Sequence, residues 1–314
     1  MNTGDKKIGI SVNVGLNKVN STVFSAQPLK GCENDAQAMF NIAKTRGFDM
    51  DRSKLLLGAE ATHEAVSNAV AQAAEVLKPG DLFFFSFAGH GTFRILNSGS
   101  EEADNHDESI VLSDHLMIDN YWRKQLWPRF KPGVRVVAIA DCCHSETTLF
   151  ALPIPPAIHA ESAGIAGNAV ARTRAPLSAV GVAEGVTQKD PSGKPGIQTQ
   201  RFRMITQAER QKELVKHQLF YNEQSAAPPQ EIKATRLFLS ACQDDQKAAD
   251  GEVNGAFTAA LLNVWNNGNF SGNYKDLMTK VEVTINRPNQ TPKLTQIGGP
   301  DLSWEKPFTI ETAG

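Results

Sequence analysis

Two short stretches of the sequence combine residue types that can do nucleophilic chemistry. Ser86-Phe87-Ala88-Gly89-His90-Gly91 places an imidazole between two glycines at the end of an apolar run, and Ala140-Asp141-Cys142-Cys143-His144-Ser145 places paired thiols at the end of another. A cysteine nucleophile reacts as the thiolate. It needs a base that takes its proton and later returns it to the leaving group, and backbone N–H groups facing the oxyanion that forms on attack. Successive side chains of a strand point to opposite faces, which sets Asp141 and Cys143 on one side and Cys142 on the other. His144 is the immediate neighbour of Cys143 and is directed elsewhere, so His90 is the better base and Cys143 the expected nucleophile. One cysteine alone is more often a small buried hydrophobe, and one histidine between glycines more often a turn residue. Their joint presence at two strand ends is what points to catalysis. Zinc on Cys142-Cys143-His144 fails on spacing, since structural sites separate paired cysteines by about two to four residues.

The elements that would position these groups read as strands alternating with helices. A β-rich run from Lys6 to Val14 precedes Ala36, Met39, Phe40 and Ala43 at helical spacing within Asn34–Arg46. Leu55-Leu56-Leu57 is a short strand, Thr62 can cap a helix carrying Val66, Ala69, Val70, Ala73 and Leu77, and Leu82–Phe87 and Val134–Ala140 are two further strands. Near-continuous apolar strands separated by helices predict an α/β fold whose mostly parallel central sheet has helices on both faces. The working site of such a sheet lies beyond the carboxyl ends of its strands. From Leu149 to about Lys233 Pro, Gly and Ala accumulate, and only Met204–Phe220 is helical in pattern. Arg236–Ala241 then resumes as a strand, followed by helices over Asn254–Trp265 and Tyr274–Val283 and a last strand at Pro307–Ile310. The expected organisation is a large part over residues 1–148, an insertion over 149–233, and a small part over 234–314 that completes the same sheet.

With 32 basic and 34 acidic residues spread along 314, there is no electrostatic footprint for nucleic acid or an anionic membrane. No apolar run approaches the roughly 18 residues of a membrane span, and the first residues lack the apolar stretch of a secretory signal, so the expected location is the cytoplasm. Of the four cysteines, Cys142 and Cys143 are adjacent, a poor basis for a disulfide framework, and all are read as thiols.

Gly89-His90-Gly91 and Asp141-Cys142-Cys143-His144-Ser145 resemble the two catalytic blocks of metacaspases and their bacterial caspase-like relatives, and the interval between them is the roughly 50 residues seen in caspases. Leu29–Ala36, Leu239–Gln246 and Asn254–Thr258 resemble further blocks of that family in the same order. The resemblance implies a caspase-like fold and a cysteine endopeptidase acting through a thioester on Cys143, with His90 as proton-transfer partner and the N–H groups of Gly91 and Cys143 as oxyanion donors. It also implies that Asp35 and Asp141 line the pocket for the residue before the cut bond, and hence that the partner is a protein or peptide substrate with a basic residue there. Two carboxylates in a partly dry pocket favour a cation and penalise an anion. Asp35 also fits as a helix N-terminal carboxylate, and Asp141 as a turn residue. Metacaspases often carry a pocket serine where this chain has Ala88. The acidic stretch Glu101–Glu108 resembles the calcium-responsive region of many metacaspases. Asp104, Asp107, Glu108 and Asp119 would be the ligands of a Ca2+ ion, or else a solvated acidic loop, and Asn120 stands where a second aspartate is expected. No cofactor is required by this chemistry. Arg172, Arg174, Lys189, Lys194, Arg201 and Arg203 in the insertion are candidates for self-cleavage or for an autoinhibitory plug. Metacaspases are generally monomeric, which makes a monomer the expectation. The competing possibility is an inactive caspase-like scaffold that binds a partner, against which retention of both His90 and Cys143 speaks.

Overall fold

The computed structural model describes residues 6–19, 26–95, 106–143, 185–189, 195–199, 201–228, 230–243 and 246–311. Its larger unit, Met1–Leu152 with Arg201–Gly314, is built on one sheet. In chain order it contains β1 (Gly9–Gly15), α1 (Cys32–Thr45), β2 (Lys54–Leu57), α2 (His63–Val76) and β3 (Leu82–Ala88). An antiparallel meander follows, of β4 (Gly91–Ile95), β5 (His106–Val111) and β6 (Leu116–Ile118), then the short α3 (Asp119–Tyr121) and β7 (Arg135–Asp141). The second unit, Pro153–Gln200, contains an antiparallel hairpin of β8 (Gly185–Lys189) and β9 (Pro195–Thr199). The chain returns to the larger unit through α4 (Gln207–Lys216), α5 (Gln218–Ala226), β10 (Thr235–Ser240), α6 (Ala256–Trp265), α7 (Tyr274–Ile285) and β11 (Lys293–Ile297).

The central sheet has the order β11-β10-β7-β3-β1-β2, parallel except for β11, which runs antiparallel to β10. The apolar alternation of β1, β3 and β7 explains its two cores. Ile10, Val12, Phe83, Phe85, Val136 and Ala138 pack with α2 and with Trp122, Trp127 and Phe130 on one side. Phe84, Val137, Ile139, Leu237 and Leu239 pack with α1, α6 and α7 on the other. Strands buried on both faces cannot solvate their backbone, so the ladder satisfies it, and the ends of β3 and β7 are fixed in register with Ala88 opposite Asp141. Among the described residues, no helix is long and apolar enough to cross a membrane.

Two expectations are corrected by the structure. Pro307–Ile310 is not a strand: Phe308 has a left-handed φ of 55°, its N–H donates to the Tyr274 hydroxyl, and its ring packs on Phe84, Trp265 and Tyr274. The last strand is instead the half-buried edge β11. The helix expected over Met204–Phe220 is two helices broken at His217, and its first residues are extended, because Thr206 and Glu209 form a capping box that starts α4 only at Gln207. Arg201–Gly314 belongs to the larger unit.

Candidate active site

The site is assembled at the carboxyl ends of β3 and β7. Cys143 packs in the α1/α6/α7 core and Cys142 in the opposite one, as strand alternation requires. His90 follows β3 by two residues, as Cys143 follows β7, and both are buried. The Nε2 of His90 lies 2.9 Å from the Gln27 carbonyl oxygen, which makes it the protonated nitrogen and leaves Nδ1, buried and without a hydrogen bond, as the basic one. Burial holds His90 below the ordinary imidazole value against the pull of the Gln27 contact, and the nearby Arg203 cation depresses it further. Burial likewise pushes the Cys143 thiol well above its ordinary value, although its Sγ accepts from the Ala248 N–H at 3.1 Å. At rest the Cys143 thiol and the His90 imidazole are each neutral.

One segment of the chain itself fills the cleft. Arg201–Ile205 runs extended across it: the Arg203 N–H donates to Ala248 O at 3.2 Å, the Asp250 N–H to Arg201 O at 3.0 Å, and the Ile205 N–H to Gly91 O at 3.1 Å. The Arg203 carbonyl oxygen accepts from the N–H groups of Gly91, at 2.9 Å, and of Cys143, at 3.1 Å. Two convergent backbone donors at these distances have the geometry that an oxyanion hole requires. A Cβ on Gly91 would sit 2.3 Å from Cys143 O, so this approach of the two strand ends needs a glycine. The family model for the caspase domain matches residues 14–305. The chain belongs to the caspase-domain family.

The relatives it matches include metacaspases. It is 27% identical to Metacaspase-1 of Mycosarcoma maydis over 85% of this chain and 66% of that protein. To Metacaspase-1 of Botryotinia fuckeliana it is 27% identical over 74% of this chain and 54% of that protein. The chain thus spans between about half and two-thirds of the length of these relatives. A Geobacter sulfurreducens protein of known crystal structure is 30% identical and superposes with a TM-score of 0.72, covering 97% of this chain and all of that one.

Asp35 and Asp141, named from the caspase-like motifs, converge on the Arg203 guanidinium. Asp35 Oδ2 accepts from Nη2 while its Oδ1 accepts from Asn254 Nδ2 at 2.8 Å and from the Gly255 N–H at 3.2 Å. Asp141 Oδ1 pairs with Nη1 at 2.9 Å, and its Oδ2 accepts from the hydroxyl and N–H of Thr258. A third carboxylate, Asp250, pairs with Nη2 at 3.2 Å and is held by the N–H groups of Lys30 and Gly31. Sequence reasoning missed Asp250, which no motif marks, and gave no role to Gly255 within the Asn254–Thr258 block, where an added Cβ would lie 2.4 Å from Nη2. Arg203 is fully buried. Burial opposes its charge, but the carboxylates, Asp141 foremost, win and carry its pKa above the ordinary value. Of the other basic candidates, Arg201 pairs with Glu252 at 2.9 Å at the rim, only the backbone of Lys189 is described, in β8, and Arg172, Arg174 and Lys194 lie outside the described residues.

The residues expected to hold calcium are only partly described. Glu108 in β5 and Asp119 at the start of α3 are buried and stand one step beyond the last registered pair, Ser109 with Ile118. The backbone of Asp107 is in β5 while its side chain, like all of Asp104, lies outside the described residues.

Proposed function

We propose that this chain is a cysteine endopeptidase that cuts after arginine or lysine and is latent until its own Arg203–Met204 bond is cut. What carries the reading is the pose of Arg203: a basic side chain among three carboxylates, with its carbonyl oxygen between two N–H donors at the nucleophile. In the reaction His90 Nδ1 takes the proton of Cys143 Sγ as the sulfur attacks the carbonyl carbon. The Gly91 and Cys143 N–H groups hold the oxyanion. Collapse breaks the C–N bond, and His90 returns the proton to the departing amine of residue 204. Water, deprotonated by His90, then hydrolyses the thioester, leaving a new carboxylate on Arg203 and the free thiol. The same pocket, vacated, takes the basic residue of other protein or peptide substrates, and the enzyme acts as a monomer. Calcium on Asp104, Asp107, Glu108 and Asp119 is the proposed trigger of the first cut, by loosening the meander against which Met204 and Ile205 lie.

Mass spectrometry of the purified chain, incubated with and without calcium, is expected to find fragments ending at Arg203 and beginning at Met204, none of them from Cys143→Ala. An intact wild-type chain that nevertheless turns over arginyl peptides would sink the latency. Turnover after aspartate would sink the pocket assignment, and no turnover under any condition would favour a scaffold that binds without cutting.

A further inference from the structure

A second group of chemistry-bearing side chains lies where the strap leaves the cleft. Thr206 caps α4 immediately after Ile205, and Glu213 of α4 and His217, four residues on at its C-cap, face His115 at the turn before β6. Ligand atoms of the three all lie within 4.8 Å of one another. The Nδ1 of His115 is 3.1 Å from Glu213 Oε1, and the Nε2 of His217 is 3.7 Å from Glu213 Oε2, with the two imidazole rings 4.7 Å apart at 76°. Two features argue for a ligand rather than a plain ion-paired cluster. The carboxylate is wholly buried, yet its Oε2 makes no hydrogen bond, and neither does the buried Nε2 of His217 beside it. A buried carboxylate oxygen and a ring nitrogen facing each other unbonded at 3.7 Å are too far apart for a hydrogen bond and close to the spacing of two ligands on one small cation. The remaining oxygen is already oriented: Oε1 accepts from the Tyr221 hydroxyl at 2.9 Å, and that hydroxyl in turn accepts from the Leu116 N–H at 2.9 Å. Support of this kind, behind a ligand rather than on the metal, is what tunes metal sites.

We propose that His115, Glu213 and His217 bind one divalent transition-metal ion of the zinc class. Two imidazoles and one carboxylate are the donor set of three-ligand zinc sites, with a fourth position left to water, which reaches it past the quarter-exposed rings of His115 and His217. The same set is a poor match to calcium, which wants six to eight oxygens. The bound ion ties α4 to the turn before β6, so it anchors the strap at the end that follows the Arg203–Met204 bond. If the latency proposed above holds, metal therefore slows the first cut.

The binding arm uses Cys143→Ala, which cannot cut itself, so its result does not depend on the peptidase reading. The metal-free full chain is titrated with Zn2+ and separately with Ca2+, and Co2+ is used as a spectroscopic stand-in. The expected results are one equivalent of Zn2+ per chain and a raised melting temperature. Co2+ should give visible bands without the thiolate charge-transfer band that Cys142 or Cys242 would contribute. His115→Ala, His217→Ala and the nearly isosteric His217→Gln are expected to lose this binding while melting like the parent in chelator. Tyr221→Phe should weaken it by roughly 10-fold. Absence of stoichiometric Zn2+ binding, binding indifferent to both histidines, or a thiolate band would each overturn the site. In the cutting chain, added Zn2+ is expected to slow cleavage at Arg203 more in wild type than in His217→Gln. Equal slowing would place the inhibition at the dyad and overturn the regulatory consequence alone.

Discussion

The floor of the cleft and the strap across it are held by opposite means. His90 and Cys143 follow strands locked into a six-stranded sheet with core on both faces, so their placement depends on the whole fold. Arg201–Ile205 is held locally, by backbone hydrogen bonds to Gly91, Cys143, Ala248 and Asp250 and by one guanidinium among three carboxylates. The thiol and the imidazole sit in the part that cannot move without unfolding, and the segment across the cleft in a part held by local contacts. A buried ion-pair cluster suits that role. Breaking it by removing one partner costs several kcal/mol, whereas an arginine of the proposed substrate would replace the partner like for like.

The comparison breaks most completely at the floor. Cys143→Ala and His90→Ala should each lower turnover of arginyl peptides by about 10³-fold or more while leaving the fold intact, as circular dichroism would verify. At the strap, Arg203→Met in a Cys143→Ala background leaves Asp35, Asp141 and Asp250 without their cation and should lower unfolding free energy by about 3–5 kcal/mol, measured by urea titration. A loss under about 1 kcal/mol would mean that water solvates the carboxylates and that the strap is only loosely docked. Gly255→Ala places a methyl against the guanidinium. It should reduce kcat/KM for arginyl peptides and self-cleavage together by about 10- to 100-fold, the range of an overpacked contact. A fall in one without the other would show that strap and substrate use different pockets.

The floor was far more legible in the sequence than the strap. Apolar runs of β1, β3 and β7, each buried throughout, announce a parallel sheet, and a histidine and a cysteine at two strand ends announce where to look. By contrast, β11 has the pattern of a half-exposed edge, Lys293-Leu294-Thr295-Gln296-Ile297, which carries too little apolar signal to stand out, while the apolar Phe308 drew a strand reading to a segment that serves as a plug. Arg203 could be named as one of six basic residues but not singled out, because what selects it is the pairing of Phe202 with Ala249 and of Met204 with Gly91, contacts between segments remote in sequence. Asp250 and Glu213 escaped for the same reason. A lone carboxylate becomes a site only when distant elements converge on it.

The smallest effect separates the strap's electrostatics from its packing. Burial pushes the Asp35 carboxyl up to about 6, against the pull of Arg203 and with the help of Asp141. Above that pH the carboxylate is ionised and attracts a guanidinium. Below it the group is neutral and the attraction is lost; the value belongs to the occupied pocket, and without the lowering pull of Arg203 the vacated one titrates higher, so kcat/KM for arginyl peptides should fall as pH drops towards about 6. The sign for folding is the reverse. A carboxyl whose folded pKa exceeds its unfolded value contributes its stability in full below the unfolded value of 3.8 and loses it as pH rises through about 6. Acidification thus weakens the hold on a basic residue without weakening the fold at this position. Protonation of His90, the proposed base, is also expected to shut down turnover in acid, and Asp35→Asn distinguishes the two. With the carboxyl gone, arginyl turnover is lower throughout and the limb set by Asp35 disappears, leaving the one set by His90, which burial holds below the ordinary imidazole value. The same limb surviving in Asp35→Asn would assign it to the imidazole and leave Asp141 and Asp250 as the charges that hold the substrate cation.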